Sequence, residues 1–309
     1  MRPSKMPKDV RLSTRRKLYS IAIMLTLALV APKTGEPRLA RDQAGRTVCV
    51  PDNPLRVVSL APSITEIVFA LGEGDRLKGV TQHCDFPADA QFLPKVGSYV
   101  HLDLERIVAL KPDLCIAVRD GNPGNVVTEL EAFGIPVYAV DPRNLDTAVD
   151  TVLEVGQLLN AATKARHLAN EMRDRIERVK ERVAGTGLRP RVFFQIGTAP
   201  IVSAGTNTVI HELIAAAGGQ NLAEGPASYP RFSREQVLAL QPEVIIITSM
   251  TKEPDIEQVS AEWKNYEGLP AVRNNRIFIV DADLFDRATP RLINGLETLA
   301  GIIHPELFR

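Results

Sequence analysis

Apolar positions along this chain come in two rhythms. Short runs such as residues 56–60 (Arg-Val-Val-Ser-Leu) and 114–118 (Leu-Cys-Ile-Ala-Val) have the length of buried strands. Between them, apolar residues recur every three or four positions, as on one face of a helix. An extended lead-in comes first, with Val48 and Val50 alternating against polar neighbours. Strand 56–60 follows, then a helix opened by Pro62 and Ser63 and stopped at Gly72, a common residue just past a helix end. Next come a short strand at 77–81, a helix capped by Asp103 and ended by Pro112, strand 114–118, a helix at 125–133 and a strand at 136–140. Strands that alternate with helices predict a parallel sheet covered on both faces.

Residues 145–184 read as helical throughout. Within them, 163–183 carries Leu168, Met172, Ile176, Val179 and Val183 at helical spacing, with charges elsewhere. A helix of that length extends about 30 Å, enough to cross from one lobe to another. Gly185-Thr186-Gly187 ends it, and strand 191–195 begins a second half with the plan of the first. Thr289 as N-cap and Pro290 at the first helical position open a final helix to about Ile303. A single helix joining two α/β lobes predicts a stiff hinge, with closure limited to a few degrees.

The two halves also repeat in sequence. Residues 105–114 (Glu-Arg-Ile-Val-Ala-Leu-Lys-Pro-Asp-Leu) read against 235–244 (Glu-Gln-Val-Leu-Ala-Leu-Gln-Pro-Glu-Val). Residues 64–72 read against 210–218, and more weakly the strand ending at Asp141 against that ending at Asp281. Two units are too few for a solenoid and point to two similar lobes, with a cleft between them as the place for a ligand. The boundaries that follow are a leader over 1–40, a first lobe over 41–144, linker helices over 145–187 and a second lobe over 188–309.

Composition narrows the function. The 309 residues suffice for two lobes; 45% are hydrophobic and 24% charged, and the net charge is zero, which gives no support for nucleic-acid binding. The N-terminus departs from this average. Seven basic residues from Arg2 to Lys17 precede an uncharged stretch over 18–31, too short for a membrane span of about 20 residues. A basic lead before an apolar core of this length predicts export, with the leader either cleaved or kept as an anchor. Cys49, Cys84 and Cys115 form no CxxC pair; a Cys84–Cys115 bridge and buried free thiols are both open.

Catalytic motifs are not found. Gly72-x-Gly74 follows a helix rather than a strand, His211-Glu212 lacks the second histidine of a zinc-protease motif, and there is neither a G-x-S-x-G elbow nor a P-loop. Of the five histidines, His167 falls on the linker helix, His304 near an exposed C-terminus and His101 just before the Asp103-capped helix. Only His83, with His101 or His211, is then left for a cleft, too few for a closed metal site.

Three stretches carry a resemblance: residues 56–63 (Arg-Val-Val-Ser-Leu-Ala-Pro-Ser), 104–113 and 285–291 (Phe-Asp-Arg-Ala-Thr-Pro-Arg). Together they resemble the helical-backbone periplasmic substrate-binding proteins of ABC importers for cobalamin, ferric siderophores and haem, over about residues 42–305. The Asp283-x-Phe285-x-Arg287-Ala288-x-Pro290-Arg291 stretch is most similar to the cobalamin-binding branch. The resemblance implies two Rossmann-like α/β lobes joined by a long helix, with the ligand between them. It implies a monomer without a resident cofactor that serves a two-fold symmetric permease dimer. It places His83 and Tyr99 on the first lobe's side of the cleft and Tyr229, Asp283 and Arg287 on the second's, with the tyrosines as walls and the ion-pairing residues bonding amides or each other. His83 is offered as an axial ligand to a bound cobalt. Asp103 and Ser233, as N-caps, set Glu105 and Glu235 at the second position of equivalent helices, one carboxylate per lobe for one arginine of each permease subunit. Two positions where cobalamin binders carry large aromatics hold Val118 and Val202, which implies a roomier cleft or another ligand. A siderophore would use Arg119, Arg231, Arg287 and Arg291; haem would take Tyr99, Tyr229 or His83 as axial ligand.

Overall fold

The computed structural model describes residues 36–248 and 256–308. The basic lead and apolar stretch of the leader, residues 1–35, lie outside the described residues. The chain is already folded at β1 (Arg38–Arg41), inside the stretch grouped with the leader, because it pairs antiparallel with β2 (Thr47–Val50), Leu39 opposite Cys49. β2 buries Val48 and Val50 and exposes Thr47 and Cys49, the alternation expected of a half-covered strand.

In the first lobe, β3 (Val57–Ser59), β4 (Leu77–Gly79), β5 (Leu114–Val118) and β6 (Val137–Val140) form a parallel sheet in the order β4-β3-β5-β6. Helices α1 (Pro62–Ala70), α2 (Leu104–Ala109) and α3 (Gly124–Ala132) connect them. Each starts where the sequence places it: Pro62 opens α1, and the Asp103 carboxylate accepts the Arg106 N–H at 3.0 Å to cap α2.

Two helices leave this lobe. α4 (Leu145–Leu158) opens on a capping box between Asn144 and Thr147, and α5 (Ala162–Ala184) runs back along it. The buried face of α5 is Ala165, Ala169, Met172, Ile176, Val179 and Val183, with Leu168 only partly covered. The two alanines take the place expected for Leu168 because the helices cross closely there: a side chain on Gly156 would meet the Ala165 methyl at 2.2 Å.

The second lobe holds β7 (Arg191–Thr198), β8 (Ile201–Ser203), β9 (Gln220–Asn221), β10 (Arg231–Phe232), β11 (Val244–Ile247) and β12 (Ile277–Ile279). Its helices are α6 (Val209–Ala216), α7 (Arg234–Leu240), α8 (Ile256–Lys264), α9 (Pro270–Arg273) and α10 (Leu292–Ile303). The repeat is visible in the pairing. β9, β7, β11 and β12 run parallel and neighbour one another as β4, β3, β5 and β6 do. It extends to single residues. Lys111 and Gln241, each just past its helix, both turn at φ 47°. Asp113 binds the Leu55 and Arg56 amides while the Arg56 guanidinium binds the Leu110 and Lys111 carbonyls. Glu243 and Arg191 form the matching lock, at 2.7 Å to the Arg191 amide and 2.7 Å to the Leu240 carbonyl. The second lobe departs from the shared plan in one respect: β7 runs on to Thr198, and β8 folds back on it antiparallel and carries β10 on its outer edge.

Residues from Pro37 on form one compact unit. One apolar core runs without a break through the inner faces of both sheets, α1, α4, α5, α6 and α10, while smaller clusters lie under the outer helices of each lobe. Two sequence expectations fail at the C-terminal end. α10 starts at Leu292 rather than Pro290, because the Thr289 side chain and carbonyl close a tight turn on the Arg291 and Leu292 amides, at 3.2 and 2.9 Å. His304 is buried rather than exposed, its ring nitrogens 3.2 Å from the Gly218 carbonyl and 3.3 Å from Glu306. Cys49, Cys84 and Cys115 are all free thiols; Cys84 lies 3.2 Å from the hydroxyls of both Thr65 and Thr81.

Candidate functional site

The segments that follow β4, β5 and β12 bring the two lobes into contact, as open α/β sheets do beyond their strand ends. From the second lobe, residues 281–291 leave β12 and reach the first. Arg287 is the centre of this contact. Its guanidinium lies 2.7 Å from Asp283 on its own segment, and 2.9 Å from Glu66 of α1 and 3.0 Å from Asp85 across the cleft. It also donates to the His83 carbonyl at 3.2 Å. Arg291 adds a second link to Glu66 at 3.4 Å and lies over the Phe86 ring, 4.0 Å from its centroid, a cation–π contact.

Burial sets the electrostatics. The Glu66 side chain is 2% exposed and Arg287 13%. Desolvation raises the Glu66 carboxyl, and the two guanidinium groups offset this only in part. Burial works against the charge of Arg287 too, but Glu66, Asp283 and Asp85 together hold it above its ordinary value. Asp283 is raised, first by burial. Asp286 is pushed up to about 7, by burial and then by the Asp283 charge, and its Oδ2 is enclosed with no hydrogen-bond partner.

The tyrosines form a second group. The Tyr229 hydroxyl donates to Asp120 across the cleft at 3.5 Å, and Asp120 also pairs with Arg143 at 3.0 Å. Burial raises both phenols, and the charges of Asp120 and Asp286 raise them further. The Asp286 charge thus acts on both tyrosines, and the Asp283 and Arg287 charges act on it. Of the five residues expected to line the cleft, Asp283, Arg287 and the backbone of His83 meet in the first group, and Tyr229 and Tyr99 share the second. The His83 side chain is exposed.

Residues 57–284 match the family described as periplasmic binding protein. The chain belongs to this family. Its members, as the description states, are periplasmic, and among the described residues no helix is long and apolar enough to cross a membrane. Among relatives of this periplasmic binding protein, a vitamin B12-binding protein of Vibrio parahaemolyticus is 36% identical over 242 residues, 78% of this chain and 86% of that one. The periplasmic vitamin B12 binding protein BtuF of Vibrio cholerae superposes with a TM-score of 0.73 at 29% identity, covering 82% of this chain and 97% of the other. A periplasmic heme binding protein from Pseudomonas aeruginosa superposes at 0.75 with 28% identity, covering 82% and 94%. These are two-lobed proteins, and the α/β lobes with a helical connection described above are the family's architecture.

The rest of the periplasmic binding protein's candidate residues fall as follows. Glu105 and Glu235 are exposed at the second position of α2 and α7, and Ser233 with Gln236 closes the capping box that starts α7. The arginines considered for an anionic ligand are largely engaged: Arg119 pairs with Asp141 at 3.2 Å, and Arg287 and Arg291 are held as above, while Arg231 is exposed on β10 without an ion pair among the described residues. Val118, at the end of β5, and Val202, in the middle of β8, are half-buried. Among the described residues, no group of three histidine, cysteine or acidic side chains is placed to hold a metal ion. Sequence reading missed Glu66, Asp85, Asp120 and Asp286. Glu66 had left a signal, a lone charge inside the apolar run 64–71.

Proposed function

We propose that this protein captures a corrinoid of the cobalamin type between its lobes and delivers it to the permease of an ABC importer, without catalysing a reaction on it. The observation that carries the choice of ligand is the charge balance of the cleft. Arg287 is enclosed by three carboxylates and Arg291 leans on one of them, so neither of these two guanidinium groups is a free cationic fork for an anionic chelate. A corrinoid presents amide groups instead, which bond to Asp283 as acceptor and to the guanidinium edges as donors. Tyr99 and Tyr229 serve as aromatic walls, each worth about 0.5–1.5 kcal/mol beyond buried area. The vitamin B12-binding relatives support the same ligand.

The alternative is an iron ligand, a ferric siderophore or haem, and the haem-binding relative keeps it in view. Haem would take Tyr99, Tyr229 or His83 as its axial ligand. In the corrinoid reading the protein is a periplasmic monomer, reaches that compartment by its leader, cleaved or retained as an anchor, and docks through Glu105 and Glu235 on a symmetric permease dimer. His83 offers its exposed imidazole to cobalt.

Calorimetric titration of the chain from Glu36 to Arg309 with cyanocobalamin, and with haem and a ferric siderophore as competitors, tests the reading. Submicromolar one-to-one binding of the corrinoid is expected. Binding of an iron ligand in its place would overturn the choice of ligand and move attention to Arg231 and the valines at 118 and 202.

A further inference from the structure

Tyr99 sits at the tip of a turn closed by the Ser98 N–H on the His101 carbonyl, 3.0 Å, and outside any strand. An aromatic wall on such a tip needs an anchor. Asn122, 8% exposed, provides one. Its Nδ2 donates to the Tyr99 carbonyl at 2.7 Å and to the Leu60 carbonyl at 2.8 Å, and its Oδ1 accepts the Val118 N–H at 2.7 Å. Two carbonyls and one N–H around a single side chain fix the orientation of the amide and use three of its bonding positions. One residue thus ties the Tyr99 turn to the ends of β3 and β5. Its neighbour shapes the ring's seat: Gly121 lies at φ +142°, and a Cβ there would come within 2.8 and 2.9 Å of the Tyr99 ring.

We propose that Asn122, with Gly121 beneath the ring, is the positioning residue that fixes Tyr99 as the first lobe's wall of the cleft. No other side chain serves the same three groups. Aspartate would set oxygen against both carbonyls, and an aliphatic residue would leave all three unpaired. The proposal rests on the reading of the cleft as a corrinoid site only for its effect on affinity.

The test combines two measurements. The protein is labelled with fluorotyrosine, and the Tyr99 resonance is assigned by Tyr99→Phe. Asn122→Ala is expected to shift or broaden that resonance in ligand-free protein while leaving those of Tyr138 and Tyr266 in place. It is also expected to weaken cyanocobalamin binding about 2- to 12-fold, the worth of an oriented aromatic contact, and this loss is expected to vanish in a Tyr99→Ala background. A merely structural role would cost the same in both backgrounds. An undiminished loss in Tyr99→Ala protein, or an unmoved Tyr99 resonance, would overturn the proposal. If Asn122→Ala does not fold by circular dichroism, Gly121→Ala replaces it, since it displaces the ring and keeps the amide. If wild-type protein binds no cyanocobalamin, the ligand reading fails by itself and the fluorine resonance alone decides whether Asn122 positions Tyr99.

Discussion

The two lobes agree on their outer surfaces and disagree where they face each other. Outside, each has a capped helix with a glutamate at its second position, a left-handed residue after that helix, and an arginine–carboxylate lock on the neighbouring strand. Inside, the first lobe supplies acids, Glu66, Asp85 and Asp120, while the second supplies Arg287, Arg291 and the enclosed Asp286. Under the proposed function, the shared plan would face a two-fold symmetric permease and the departures from it an asymmetric ligand.

The largest effect is expected from breaking the asymmetric side. Arg287→Ala leaves Glu66, Asp85 and Asp283 facing one another, and unfolding in urea at neutral pH should show a loss of about 3–5 kcal/mol, the usual cost of removing one partner from a buried ion pair. Corrinoid affinity should fall with it. Next comes the symmetric side. Glu105→Lys and Glu235→Lys should each leave ligand affinity and unfolding unchanged, yet lower importer-dependent uptake into vesicles by similar factors. Unequal losses would mean that the two ends do not address equivalent sites.

A smaller and more diagnostic effect concerns Asp286. A carboxyl raised in the folded state holds its proton there more tightly than in the unfolded chain. Its contribution to stability is therefore complete below the ordinary carboxylate range and is lost as pH rises through about 7. Asp286→Asn should remove this downward slope, seen as the difference between variant and wild-type urea midpoints from pH 4 to 8. The smallest effect is spectroscopic: His83→Ala should shift the visible bands of bound cyanocobalamin, and an unchanged spectrum would dismiss the axial role.

What the sequence revealed was local. Caps at Asp103 and Ser233, the stop at Gly72 and the spacing of α5 depend on residues within a turn or two of each other, and they appear where expected except at Leu168. The start of α10 was misplaced because Thr289-Pro290 also suits a tight turn, and which of the two forms depends on where Arg287 and Arg291 must reach. β1 escaped notice because four residues bounded by arginines read as a polar tail until β2 pairs with them. The cleft was half legible. Its tyrosines, Asp283 and Arg287 stood out by resemblance, but Glu66 and Asp85 join Arg287 only through contacts more than 200 positions apart in the chain. No local pattern carries that information.

The close crossing of α4 and α5 at Gly156 and Ala165 has a further consequence. Because these helices lie in one apolar core with both sheets, neither half of the molecule owns a finished interior. The duplication visible in the sequence is thus not a pair of autonomous modules. Cut at the glycines after α5, the chain would yield two fragments that each expose what the other must cover. A single denaturation transition is therefore expected for residues 37–309, with an injury to the connecting helices lowering the whole of it rather than splitting off one lobe.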